Sequence, residues 1–225
     1  MNSMTAGTNS APSSPAELLG DVHPLLDQLG SAEDLAVAST VADAFDLRRV
    51  ADRPSLRNFL QSYRSQILVP IELPAIVSAF GHAARGQLIE LLALDQEQAQ
   101  NVTLRKFAPA SCRVGQRQLS KLRPMRDQRL VQRYLSAIEE GRARGWHTLV
   151  YGVSLAMFSL PLRQGLQNYI EKTVRGFIYS SAKSLRLSEA DCLSLDGEQQ
   201  LHVPPAIDLA LQEQALPFLA ASAKP

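Results

Sequence analysis

Apolar residues recur at spacings of three and four along nearly the whole chain, and no stretch alternates with period two. That periodicity predicts an all-α protein, built as a single-domain bundle of roughly eight to ten helices. The clearest segment is LRQGLQNYIEKTVRGFIYSSAKSL, where Leu162, Leu166, Tyr169, Ile170, Val174, Phe177, Ile178 and Leu185 form one long stripe. Gly165, Gly176, Ser180, Ser181 and Ala182 leave small patches on it where another helix can come close. Just before it, the apolar run from Thr148 to Leu162 falls short of the ~20 residues needed to cross a bilayer and is bracketed by Arg144 and Arg163. It reads as a buried packing helix from about Trp146 to Phe158.

Punctuation residues divide the rest. Ser31 with Asp34, and Ser188 with Asp191, have capping-box spacing; Asp52 and Pro54 start PSLRNFLQSYRSQIL, whose stripe is Leu56, Phe59, Leu60 and Tyr63. Pro70 and Pro74 are expected to open a new helix, Gly86 to separate it from another short one, and Pro109 and Pro124 to bound a further helix. In DQRLVQRYLSAIEEGRARG, the residues Leu130, Tyr134, Leu135 and Ile138 are expected to face inward. Pro204 and Pro205 open a last helix. The organisation expected is a polar, disordered arm over 1–16, a helical domain over 17–202, and a C-terminal helix and tail over 203–225. The arm, MNSMTAGTNSAPSSPAE, has neither the basic nor the apolar region of a secretory signal, so the protein is expected in the cytoplasm.

Composition adds little until it is split along the chain. The net charge of +1 conceals a basic block: residues 105–144 hold 11 Lys and Arg against 3 Asp and Glu, whereas residues 1–104 hold 6 against 12. Within the block, Arg113, Arg117 and Lys121 fall at i, i+4 and i+8, and Arg126, Arg129 and Arg133 at i, i+3 and i+7. Each set is expected to make a positive ridge on one helix face. A merely solvated face would look the same. Because no recognition motif or stacking aromatic accompanies the arginines, an acidic protein is the better partner and nucleic acid is not expected.

Catalytic chemistry is thinly represented. The sequence Gly152-Val153-Ser154-Leu155-Ala156 approaches a nucleophile elbow, but an elbow follows a β-strand and these flanks are helical. The chain lacks a Walker A sequence, GxGxxG and HExxH, and its two cysteines and four histidines are scattered, so neither a catalytic residue nor a bound metal or cofactor is expected. Two readings remain: a scaffold that binds other proteins, or a helical ligand-binding or regulatory interaction protein. A gel shift that persists at physiological salt would favour the second.

The stretch WHTLVYGVSLAMFSLPLRQGLQNYIEKTVRGFIYSSAKSLRLSEAD resembles the C-terminal half of the urease accessory protein family UreF, with its His leading into a V-[FY]-G helix, its L-P-L-type restart and its long helix with an A-x-[RK] end. Upstream, SCRVGQRQL resembles the family's S-x-x-x-G-x-x-L-L helix, Leu73-Pro74 its paired L-P, and LALDQ its A-L-D segment. The resemblance implies a UreF-like all-helical fold and no enzymatic activity. It implies a homodimer that binds UreD (also called UreH) and the GTPase UreG, coupling GTP hydrolysis to nickel delivery into apo-urease; nickel and GTP then act through the partners, and no membrane is involved. Ser111, Gly115, His147, Tyr151 and Gly152 occupy family-matched positions with structural roles, while Lys183, with Arg186 beside it, matches the family's GTPase-facing basic position. The chain departs from the family pattern at SAEDLAVAST over 31–40, at Ser188-Glu189, and at its terminal SAKP, where the family has an Arg-Leu-Phe tail.

Overall fold

The computed structural model describes residues 50–105 and 108–222, the last ten of these as backbone only. The expected arm over 1–16 and the Ser31 cap lie outside the described residues. Among those described, the fold is all-helical: α1 (Arg53–Tyr63), a π-helical stretch (Arg64–Glu72), α2 (Leu73–Ala84), α3 (Leu88–Gln100), α4 (Ala108–Lys121), α5 (Arg129–Glu139), α6 (His147–Met157), α7 (Leu162–Leu185), α8 (Glu189–Gln200) and α9 (Val203–Ser222).

The helix starts follow local chemistry. Asp52 accepts from the Ser55 amide while the Ser55 hydroxyl serves the cap, and Ser188 and Asp191 repeat the reciprocal arrangement at α8. Hydrogen bonding to Ser55 holds the Asp52 carboxyl below its usual 3.8, and bonding to Ser188 does the same for Asp191. A carboxyl whose folded pKa is lowered contributes stability above 3.8 and loses it as pH falls through the lowered value. Acidification below pH 3.8 is therefore expected to fray the first turns of α1 and α8 before the centre of the fold, as read by residue-resolved amide exchange.

The prolines behave differently from expectation. Pro74 stands in the first turn of α2, but Pro70 opens no helix and no break precedes α2: Arg53–Ala84 is continuous over 32 residues. An α-helix interior rejects proline because it lacks the N–H and crowds the carbonyl one turn back. Here the helix widens to the π register over Arg64–Glu72, with the Leu73 amide bonded to the Leu68 carbonyl, and carries Pro70 inside it. The expected division into eight to ten helices needs correction at this point, since it sets a boundary at the prolines inside what is one rod. That rod is long and apolar enough to cross a membrane, but half of its most apolar stretch is buried against other helices.

The α2 and α6 helices form the closest pair, with α4 packed on another side of α6 and α9 and α7 against α2. Every residue from His147 to Leu155 is buried. With Leu149, Val150, Val153 and Leu155 each contributing about 2 kcal/mol on burial, α6 is a core helix. Leu166, Tyr169, Ile170, Val174, Phe177 and Ile178 of the long stripe are buried as expected, while Leu162 and Leu185 are only partly covered. On α5 the inward set is Val131, Tyr134, Leu135 and Ala137; Leu130 and Ile138 are half-buried.

Candidate functional site

Two glycines set how closely the central helices approach. A β-carbon placed on Gly115 of α4 would lie 2.1 Å from the Gly145 carbonyl oxygen and 2.8 Å from the His147 amide nitrogen. One placed on Gly152 of α6 would lie 2.4 Å from the Ile76 carbonyl oxygen of α2. Only hydrogen fits at either place. The α4 helix thereby lies against the entrance to α6, where the Ser111 hydroxyl accepts from the His147 amide at 3.2 Å and the His147 ring Nδ1 meets Gln118 Oε1 at 3.1 Å. One turn on, the Tyr151 hydroxyl donates to the Gly165 carbonyl at 3.0 Å, tying α6 to α7, and burial pushes that phenol far above its usual range. Ser111, Gly115, His147, Tyr151 and Gly152 thus gather at one buried junction.

Two buried carboxylates brace the same region. Asp95 of α3, 1% exposed, accepts from the Tyr134 hydroxyl at 2.7 Å, the Arg144 amide at 2.7 Å and the Gly145 amide at 2.9 Å. It fixes the loop from α5 to α6, in which Gly145 has φ +71 and the carbonyl that Gly115 admits. Glu72, at the end of the π stretch, accepts from Tyr63 at 2.5 Å and Tyr169 at 3.1 Å. Desolvation, with the neighbouring carboxylate second, raises the Tyr63, Tyr134 and Tyr169 hydroxyls well above the ordinary phenol value, so all three serve as donors. The Tyr169 ring also lies 5.1 Å from Tyr151 and 5.9 Å from His147, linking the Glu72 cluster to the junction. Sequence reading assigns no role to Glu72, a single carboxylate inside the apolar run ILVPIELP, and meets Asp95 only as the last residue of the A-L-D segment in LALDQ, without a role.

Ser154 is not poised as a nucleophile. Its hydroxyl donates to the Val150 carbonyl at 2.8 Å within the same helix, and the residue is 5% exposed. Among the described residues, no three His, Cys, Asp or Glu side chains converge as metal ligands.

The cationic candidates lie outside this core. Arg113, Arg117 and Lys121 are exposed on α4, and Arg129 and Arg133 on α5. Arg126 is exposed too, but it sits in the turn ahead of α5, so the second ridge is not a continuous helix face. The three arginines span a helix start, which Gln128 marks. Lys183 is exposed in the last turn of α7, favourably placed at the negative end of the helix dipole, and Arg186 caps that helix in the left-handed conformation at φ 53.

A family model described as UreF matches residues 50–195. The chain belongs to the UreF family. Relatives named urease accessory protein UreF, from Actinobacillus pleuropneumoniae and from its serotype 5b strain L20, are each 25% identical over 143 residues. Those matches cover 64% of this chain and 63% of the relatives' own length. The UreF match contains the whole junction, both buried carboxylates, the basic block and the Lys183 end of α7, and it stops within α8.

Proposed function

We propose that the chain is a urease accessory protein that works as a homodimeric scaffold in the cytoplasm, bridging UreD (UreH) and the GTPase UreG so that GTP hydrolysis is coupled to nickel delivery into apo-urease. The observation that carries this reading is the UreF match over residues 50–195, with its motif residues gathered at one buried junction. The division of labour is physical. Ser111, Gly115, His147, Tyr151 and Gly152 hold α2, α4, α6 and α7 in register, and the exposed cations of Lys183, Arg186 and the α4 and α5 arginines meet acidic partner surfaces. Nickel and GTP are carried by the partners.

Mixed with its cognate UreD and UreG at low salt, the chain is expected to co-elute with both in gel filtration. Lys183→Glu is expected to weaken UreG retention about tenfold, since a rim charge facing an acidic surface acts on encounter and orientation. UreD retention should be unchanged. Elution as three separate peaks would overturn the bridging role, and equal UreG retention by the Lys183→Glu protein would remove that residue from the interface.

A further inference from the structure

The α8 helix is attached to the body by charge more than by apolar contact. Its apolar anchors are Cys192 and Leu195, and its other buried residues, Asp196 and Gln199, are polar. Arg53 reaches Asp191 at 2.7 Å and Ser194 at 2.9 Å; Arg57 grips Glu198 with two bonds of 2.7 and 2.8 Å; Arg175 of α7 meets Asp196 at 2.9 Å. Arg64 adds a bond to Gln199 at 3.2 Å. The sequence EADCLSLDGEQQ supplies four carboxylates and no cation, so its charged contacts with these arginines are attractive. On the outward side Leu193 is 57% and Leu201 77% exposed, and a β-carbon on Gly197 between them would meet nothing within 4 Å.

Such pairs hold only while solvent leaves them unscreened. The Arg53, Arg57, Asp191 and Glu198 side chains are all about a third or more exposed, a setting in which single ion pairs contribute little and fade with salt. Among the described residues one donor in the seam is unmet: the buried Arg53 Nε has no acceptor there, and water would supply one on opening. By contrast α6 is buried from His147 to Leu155 and has no comparable dependence on charge.

We propose that α8 is an ionic latch, a helix that opens locally from α1 and α7 as ionic strength rises while the α2, α4 and α6 centre stays closed. The open state uncovers Arg53, Arg57 and Arg175 together with the Cys192 thiol. Segments with few apolar anchors and solvent-accessible polar contacts are those that open below the global unfolding free energy.

Amide exchange followed by mass spectrometry on the full chain tests this. Raising NaCl from about 0.05 to about 0.5 M should accelerate exchange in α8 about tenfold, with α6 unchanged, and alkylation of Cys192 should accelerate alongside it. The Glu198→Gln protein should exchange rapidly in α8 at both salt concentrations. Three results would overturn the latch: α8 exchange that ignores salt, acceleration of α6 in step with α8, or Glu198→Gln behaving as the parent at low salt.

Discussion

Replacing Gly115 with alanine is expected to destabilise the fold by more than about 3 kcal/mol, a large share of the 5–15 typical of a whole domain. The added carbon would meet the Gly145 carbonyl oxygen at 2.1 Å and the backbone of Trp146 and His147 at 2.8 Å. Backbone cannot rotate aside as a side chain can, so α4 must lift from the α6 entrance and lose the Ser111 and Gln118 contacts with His147. Gly165→Ala provides the internal comparison. There the nearest atoms are the δ-carbons of Leu155, at 2.5 and 2.6 Å, the mobile end of a side chain. Repacking of that leucine, offset by the better helix propensity of alanine, should keep the cost to about 1 kcal/mol. Urea denaturation of the two proteins measures the difference, and equal midpoints would contradict the backbone origin of the clash.

Asp95→Ala is expected to cost about 3 kcal/mol, because it strands three donors at once in a buried setting. The Tyr134 hydroxyl and the Arg144 and Gly145 amides all converge on that carboxylate. Asp95→Asn retains the shape and one acceptor oxygen, so it should lose about half as much. Because the loop that Asp95 fixes leads directly into α6, faster amide exchange over residues 140–147 should accompany the loss. Asp95→Ala with parent stability would mean that water satisfies these donors in the native protein.

The elements whose cause is local were readable in the chain. The Asp52 start and the Ser188–Asp191 cap are written within four residues each, the long α7 stripe follows from helical periodicity, and α6 follows from an apolar run too short to cross a bilayer. What escaped depends on distant partners. The prolines at 70 and 74 promise a break by their local chemistry, but the register widens and the apolar rod continues through them. Glu72 and Asp95 appear in sequence as ordinary carboxylates, since the hydroxyls that satisfy them come from as far as 97 and 39 residues away. The steric demands on Gly115 and Gly152 are set by carbonyls of the α6 entrance and of α2, which no spacing rule identifies. Arg126 marks the opposite failure, a helical period extended into a turn.

Taken with the UreF match, this anatomy separates a rigid interior from a charged exterior. The interior residues act on function through the shape of α4, α6 and α7, and so their substitutions should reduce every partner contact together. Exterior substitutions such as Lys183→Glu should reduce one contact and leave stability intact, since exposed single charges contribute little to folding.

The central proposal is that the chain enables nickel loading of urease through partner binding and without chemistry of its own. Nickel content per urease active site, measured in cells that carry the cognate urease genes with and without this one, tests it most directly. The account predicts apo-urease in its absence, restoration by the parent chain and by Ser154→Ala, and failure of Gly115→Ala to restore. Fully nickel-loaded urease without the chain, or loss of loading on replacing Ser154 alone in a stably folded protein, would contradict it.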